Sequence, residues 1–169
     1  VHDTHGKIVT SEPREPGPVS LTRMPAYDDD LRLAHVLADA VERVTMPRFK
    51  AEDLRVDSKP DRSLVSDADR SAEEVLRFQL SRTRPRDAVH GEEFPDTGHG
   101  PRRWILDPID GTHNYVRGVP VWATLIALVD GDQPVLGLVA APALGRRWCP
   151  PPKVDPENPE LAQKAIAVL

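Results

Sequence analysis

The sequence predicts an α/β fold, and three observations carry that prediction. Apolar residues recur at helical spacing in two separate stretches, one beginning near Asp29 and one after Ser66. Short apolar runs bounded by turn formers follow them, as strands do. Two of those runs, Ala88-Val89 and Trp104-Ile105-Leu106, lead into carboxylates, the first by way of His90-Gly91. Acids delivered to one edge by neighbouring strand ends mark a site where α/β folds place ligands, at the C-terminal ends of strands.

Composition limits the function classes. The chain has 169 residues, 39% apolar and 29% charged, enough for one globular domain. No apolar run approaches the roughly 18 residues of a membrane span, and the first residues lack a basic-then-apolar signal pattern. Cys149 is the single cysteine, which excludes an internal disulfide and suits a cytoplasmic, reducing setting. The net charge of −5, with no basic patch interleaved with aromatics, argues against nucleic acid as a partner.

The elements follow in order. Residues 1–28 contain Ser11-Glu-Pro-Arg-Glu-Pro-Gly-Pro18 and no periodicity, which reads as a disordered leader. Met24 is the expected natural start. Asp28-Asp29-Asp30 supplies N-cap and first-turn acids. Leu33, Val36, Leu37, Ala40, Val41 and Val44 then form an apolar stripe, so a helix is expected over 29–46, ended by Pro47. His35 lies beside the stripe as a partly covered surface residue. Leu54-Arg55-Val56 reads as a weak strand and Lys59-Pro-Asp-Arg62 as a turn.

Ser66-Asp67-Ala68-Asp69 fits a capping box ahead of a helix through Ala72, Val75, Leu76 and Leu80. Ser81 to Asp87 is a connecting loop, and 94–103 a surface loop. Past the central stretch, Val121 to Val129 is a strand apolar on both faces, Asp130-Gly131-Asp132 a hairpin turn, and Val135 to Ala140 the returning strand, with Gly137 as a bulge. Ala141 to Gly145 turns again, and Arg146-Arg147-Trp148 begins another strand. Cys149-Pro-Pro-Pro152 breaks that strand, since consecutive prolines cannot pair in a sheet. The remainder to 169 is a proline-rich tail with room for one helical turn over Glu160 to Leu169.

The chemistry concentrates in Asp107-Pro-Ile-Asp110-Gly-Thr112. Pro108 ends the strand there, because it removes a ladder donor and fixes φ. Asp110-Gly111 makes a tight turn, and Gly111 and Thr112 open a short helical turn whose N–H groups suit a phosphate. Asp107 and Asp110 can converge on Mg²⁺, a hard cation that takes oxygen ligands, and the Ile109 carbonyl is a further oxygen between them. Taken alone, such a stretch could be an Asp-rich solvated turn. Gly91-Glu92-Glu93 upstream, a second strand end with acids, favours the metal reading. His90 and His99 are poor partners for a hard cation and read as incidental.

Gly91-Glu92-Glu93 followed by Asp107-Pro-Ile-Asp-Gly-Thr112 resembles the inositol monophosphatase family of Mg²⁺-dependent phosphomonoesterases. Asn114-Tyr-Val-Arg-Gly-Val-Pro-Val-Trp-Ala123 is similar to its actinobacterial histidinol-phosphatase branch, with inositol or sugar monophosphates as the alternative substrates. The resemblance covers 29–148, about the first half of the family's domain, and implies helices packed on a mostly antiparallel sheet. The family's W-D-x-x-A-type motif and the residues that select the organic part of the substrate belong to the second half. Their absence leaves open a non-catalytic remnant that binds one Mg²⁺, and an apolar sheet face left uncovered.

The resemblance implies roles as well. Glu92, Asp107 and the Ile109 carbonyl would hold one metal, and Asp107 and Asp110 a second. Glu92 and Thr112, the latter tied to Asp69, would position and deprotonate a water. Asp110, Gly111 and Thr112 would bind phosphate. Lys59 would match a lysine on a flexible segment near the metals, or be a solvated loop lysine. Glu93 would support Glu92 from behind, or be a solvated acid. A small phosphate ester is the implied substrate, and the resemblance allows a homodimer.

Overall fold

The computed structural model describes residues 27–149. The leader with Met24 and the tail from Pro150, including the turn expected over Glu160 to Leu169, lie outside the described residues. Helix α1 (Asp28–Arg48) leads to a two-stranded hairpin, β1 (Val56–Ser58) and β2 (Leu64–Ser66), and then to α2 (Asp67–Thr83). Strands β3 (Ala88–Gly91) and β4 (Arg102–Asp110), the short helix α3 (Thr112–Val116), and strands β5 (Ala123–Asp130), β6 (Gln133–Ala141) and β7 (Arg146–Trp148) follow. The sheet order is β3-β4-β5-β6-β7. Only β3 and β4 pair in parallel; the other three neighbours are antiparallel.

Helices α1 and α2 pack on one face of this sheet. Ala34, Leu37, Ala38 and Val41 of α1 and Ala72, Leu76 and Leu80 of α2 meet Trp104, Leu106, Ile126, Leu128 and Leu138 in one core. A second, smaller cluster of Ala68, Ile109, Tyr115 and Trp122 backs the central stretch. Its rings stack closely, Tyr115 edge-on to Trp122 at 4.9 Å and Phe49 at 5.4 Å from Tyr115. The Tyr115 hydroxyl donates to the Thr45 carbonyl at 2.7 Å, which ties α3 to α1.

Several boundaries differ from expectation, each for a local reason. Helix α1 runs through Pro47, because proline in the last turn removes only one N–H, and the Phe49 N–H closes the end on Thr45 and Met46. Its buried stripe is 34-37-38-41-45, which leaves Val36 off the core and 50% exposed. Asp30 stands in the first turn of α1 as expected, and it does more there than complement the helix end. It is buried and accepts from Arg84 at 2.7 Å and Arg102 at 2.8 Å, pinning α1 to the end of α2 and the start of β4. Helix α2 extends three residues into the expected loop, and the weak strand falls at Val56–Ser58 rather than Leu54–Val56.

The sheet holds two further corrections. Strand β4 does not stop at Asp107-Pro108 but continues to Asp110, across a register irregularity between Asp107 and Asp110. Pro108 is tolerated there because β3 has already ended opposite Leu106, while the Pro108 carbonyl still accepts from Thr124 at 2.8 Å. In the β5–β6 hairpin the extra residue is Val135, since Leu128 faces Leu136 and Val129 faces Pro134; Gly137 pairs regularly with Ala127. The first strand after α3 begins at Ala123, because Trp122 turns into the aromatic cluster.

Burial on α2 sets a stability test. Leu76→Ala should cost about 3 kcal/mol of unfolding free energy, whereas Phe78→Ala, at a side chain 62% exposed, should stay within about 0.5 kcal/mol. Urea midpoints measure both. Equal losses would mean that α2 presents a different face to the sheet.

Candidate active site

Parallel pairing fixes where the acids meet. Gly91 stands opposite Leu106, so the residues that follow them, Glu92 just past the end of β3 and Asp107 still within β4, come side by side. Asp110 closes β4 three residues later, and Gly111 then takes a left-handed conformation at φ 87° before α3 begins. That conformation favours glycine. A side chain at Gly111 would also press on the Val121 carbonyl at 3.2 Å. The Asn114 and Tyr115 N–H groups close on the Gly111 carbonyl at 2.8 and 3.1 Å, which makes α3 a tight turn directly after the acids.

The acids repel one another. Burial, with the charges of Glu92 and Asp110 adding to it, pushes the Asp107 carboxyl up to about 8. One Asp107 oxygen, Oδ1, is buried and has no hydrogen-bond partner in the protein. Asp110 is raised too, by desolvation and by Glu92. Lys59, at the turn between β1 and β2, offsets part of this: its Nζ donates to Glu92 at 2.7 Å and to Glu93 at 2.8 Å. Burial opposes the lysine's charge, but the two carboxylates outweigh burial and hold its pKa above the ordinary lysine value. Lys59 is therefore no solvated loop residue. Nor is Glu93 a solvated acid, since its side chain is 4% exposed.

Asp69 and Thr112 form the neighbouring polar pair. Asp69 is 1% exposed at the start of α2, where its Oδ2 accepts from the Ser66 N–H at 2.9 Å and from the Ser66 hydroxyl. The capping box thus fixes one carboxylate oxygen and leaves the other, Oδ1, 3.1 Å from the Thr112 hydroxyl. Thr112 Oγ1 also lies 2.9 Å from the Ile109 carbonyl. The hydroxyl has one proton for these two acceptors, so its lone pairs stay available to a third group. Burial raises the Asp69 carboxyl, and its bonds to Ser66 and Thr112 pull it back down.

The donor set suits a hard divalent cation. Glu92, Asp107, Asp110 and the Ile109 carbonyl are all oxygen donors, and a buried, unpartnered carboxylate oxygen amid like charges is the feature such a cation would satisfy. The side chains do not enclose a finished site: among the described residues no group of three or more His, Cys, Asp or Glu has metal-holding spacing. The Lys59 ammonium meanwhile holds Glu92. His90 pairs with Asp96 at 2.6 Å on the exposed side of β3, and His99 lies in the following surface loop. His35 is half-buried, 3.5 Å from Arg147 of β7.

Sequence reasoning missed Glu73. It is fully buried on α2 and accepts from the Glu93 N–H at 2.7 Å. Its position was a usable signal, because 69-72-73-76-80 is the buried stripe of α2, and an acid within such a stripe calls for partners.

Residues 27–150 match the sequence profile described as the inositol monophosphatase family. A histidinol-phosphatase of Streptomyces coelicolor is 70% identical over 129 residues, 74% of this chain and 48% of the relative. A histidinol-phosphatase of Mycobacterium tuberculosis is 57% identical over 121 residues, 71% of this chain and 46% of the relative. The chain thus spans about half the length of the curated relatives it matches. Among solved structures, the extragenic suppressor protein suhB of Bartonella henselae superposes with TM-score 0.69 at 28% identity, over 74% of this chain and 50% of that one. The Thermotoga maritima IMPase does so with TM-score 0.66 at 32% identity, over 70% and 46%.

The crowded acids make a pH prediction. A carboxyl raised in the folded state stabilises folding at low pH, and that contribution is lost as pH rises from the unfolded value toward about 8. With no metal added, Asp107→Asn should therefore melt higher than the parent at pH 8.5, by about 4 °C or on the order of 1 kcal/mol. The gap should narrow toward pH 5. Thermal melts across that range check it, and a variant less stable at every pH would contradict it.

Proposed function

The chain belongs to the inositol monophosphatase family, and on that premise we propose that it serves as an Mg²⁺-dependent phosphomonoesterase whose substrate is histidinol phosphate. The observation that carries the chemical part is the buried, unpartnered Asp107 oxygen standing among Glu92 and Asp110. The high identity to two histidinol-phosphatases supports the substrate, as does the segment Arg117 to Ala123. The family is generally Mg²⁺-dependent. In this reading the enzyme works in the cytoplasm.

Glu92, Asp107, Asp110 and the Ile109 carbonyl are the groups that would hold Mg²⁺. When bound, Mg²⁺ supplies the positive charge that screens carboxylates from phosphate oxygens and makes water more acidic. The protein's own residues do the rest. Asp69, fixed by Ser66, accepts a hydrogen bond from the Thr112 hydroxyl and so turns that oxygen's lone pairs outward to accept from a water. Glu92 takes the second proton of that water as it attacks phosphorus opposite the ester oxygen, and the P–O bond to that oxygen breaks as solvent water protonates it, so that it leaves as the alcohol. Gly111 and Thr112, at the turn after β4, offer N–H groups to the phosphate. Lys59 pairs with both Glu92 and Glu93; were a cation to take its place at Glu92, it would keep its bond to Glu93, whose burial needs a counter-charge.

The test is phosphate release from histidinol phosphate, inositol 1-phosphate and an aryl phosphate, each with Mg²⁺ and with EDTA. Release that EDTA stops, fastest on histidinol phosphate, is the expected result. Folded protein that releases nothing from any of the three would contradict the reading, and preference for inositol 1-phosphate would contradict the substrate. Asp110→Asn should lower Mg²⁺-dependent turnover at least about 100-fold, on the scale of about 3 kcal/mol of transition-state stabilisation. Thr112→Ala should lower kcat more than it changes KM, because it acts on the water rather than on the ester.

A further inference from the structure

We propose that Glu73 is a positioning residue that builds the acidic turn after β3 and so sets the direction of Glu92. The inference rests on the reading of Glu92 as a metal ligand. Three observations carry it. Glu73 is 0% exposed, and a buried carboxylate persists only when its oxygens are matched by donors. Those donors are the turn itself: Glu73 Oε2 accepts from the Glu93 N–H at 2.7 Å and Oε1 from the Phe94 N–H at 3.3 Å. The third observation is Gly91. Its φ is not in the left-handed region, yet a Cβ there would stand 2.0 Å from Glu73 Oε1. Gly91 is glycine because the carboxylate occupies the space a side chain would need.

Arg77 completes the arrangement one turn along α2. Its Nε donates to Glu73 Oε1 at 2.7 Å and its Nη2 to the Phe94 carbonyl at 2.9 Å. The pair therefore grips the turn by N–H groups on one side and by a carbonyl on the other. A paired Val89–Thr97 bridge closes the loop behind it. Held this way, the backbone of 92–94 cannot rotate without leaving the buried Oε2 of Glu73 without its donor, so Glu92 keeps its place beside Asp107 although its own side chain is 41% exposed. Nothing in the proposed chemistry requires Glu73 to touch the substrate. It acts through the peptide groups of Glu93 and Phe94.

Mn²⁺ binding by the full chain, followed by electron paramagnetic resonance well below the melting temperature, tests this. Glu73→Ala should weaken Mn²⁺ about 10–100-fold while the circular dichroism spectrum stays that of the parent. Glu73→Gln, which keeps an oxygen for one N–H, should recover most of that affinity. Gly91→Ala should weaken Mn²⁺ in the parent but add little once Glu73→Ala has opened the space, and it gives a reading even if Glu73→Ala fails to fold. Parental affinity in folded Glu73→Ala, or additive effects of the two substitutions, would overturn the proposal. Asp107→Asn is the control for the underlying reading: if it binds Mn²⁺ like the parent, the metal site fails and not the anchor alone.

Discussion

Two strands of this sheet run parallel where every other neighbouring pair runs antiparallel, and the site depends on that exception. In an antiparallel pair, the end of one strand faces the start of the other. Because β3 and β4 run the same way with Gly91 opposite Leu106, both chains leave the sheet at one edge, and each leaves it with acids. Parallel strands need a crossover between them, and 92–101 supplies it as a loop held by α2 instead of as a helix. The electrostatic cost is visible in Asp107, whose proton is retained to about 8. Asp107 stays in place because the sheet and the Ile109-Tyr115-Trp122 cluster fix its backbone from behind.

Around this edge the rest of the fold acts as support. Helix α2 contributes twice, with Asp69 at its first turn reaching Thr112 and Glu73 one turn later reaching the loop after β3. Helix α1 contributes indirectly: it covers the sheet, and its Thr45 carbonyl holds the Tyr115 hydroxyl. Strand β1 is held more lightly than its partner β2, since all three of its residues are exposed while Val65 and Ser66 are buried, and the turn after it carries the lysine that, among the described residues, reaches Glu92 and Glu93. The acids lie on and just past two paired strands, while the ammonium that offsets them follows the exposed strand β1.

Much of this was legible in the residues themselves. The capping box at Ser66 and Asp69 marked the start of α2, and Asp130-Gly131-Asp132 marked the β5–β6 hairpin, because turn and cap chemistry is local. The two acidic strand ends were legible for the same reason. The misses were non-local. Pro108 looks like a strand end until one sees that β3 has stopped beside it. Asp30 looks like a cap until Arg84 and Arg102 arrive from 54 and 72 residues away. Glu73 looks like an ordinary helix acid because the N–H groups it satisfies lie on another element. The bulge belongs to Val135 rather than Gly137 because register, which depends on both strands, decides it.

In the proposed function, the crowding of Glu92, Asp107 and Asp110 serves to hold a divalent cation. The most direct measurement is anomalous diffraction from crystals grown in Mn²⁺. A peak is expected against the Asp107 carboxylate on the side of Glu92 and Asp110, with the Lys59 ammonium displaced from Glu92. No peak at that edge, with Lys59 still bridging Glu92 and Glu93, would contradict it.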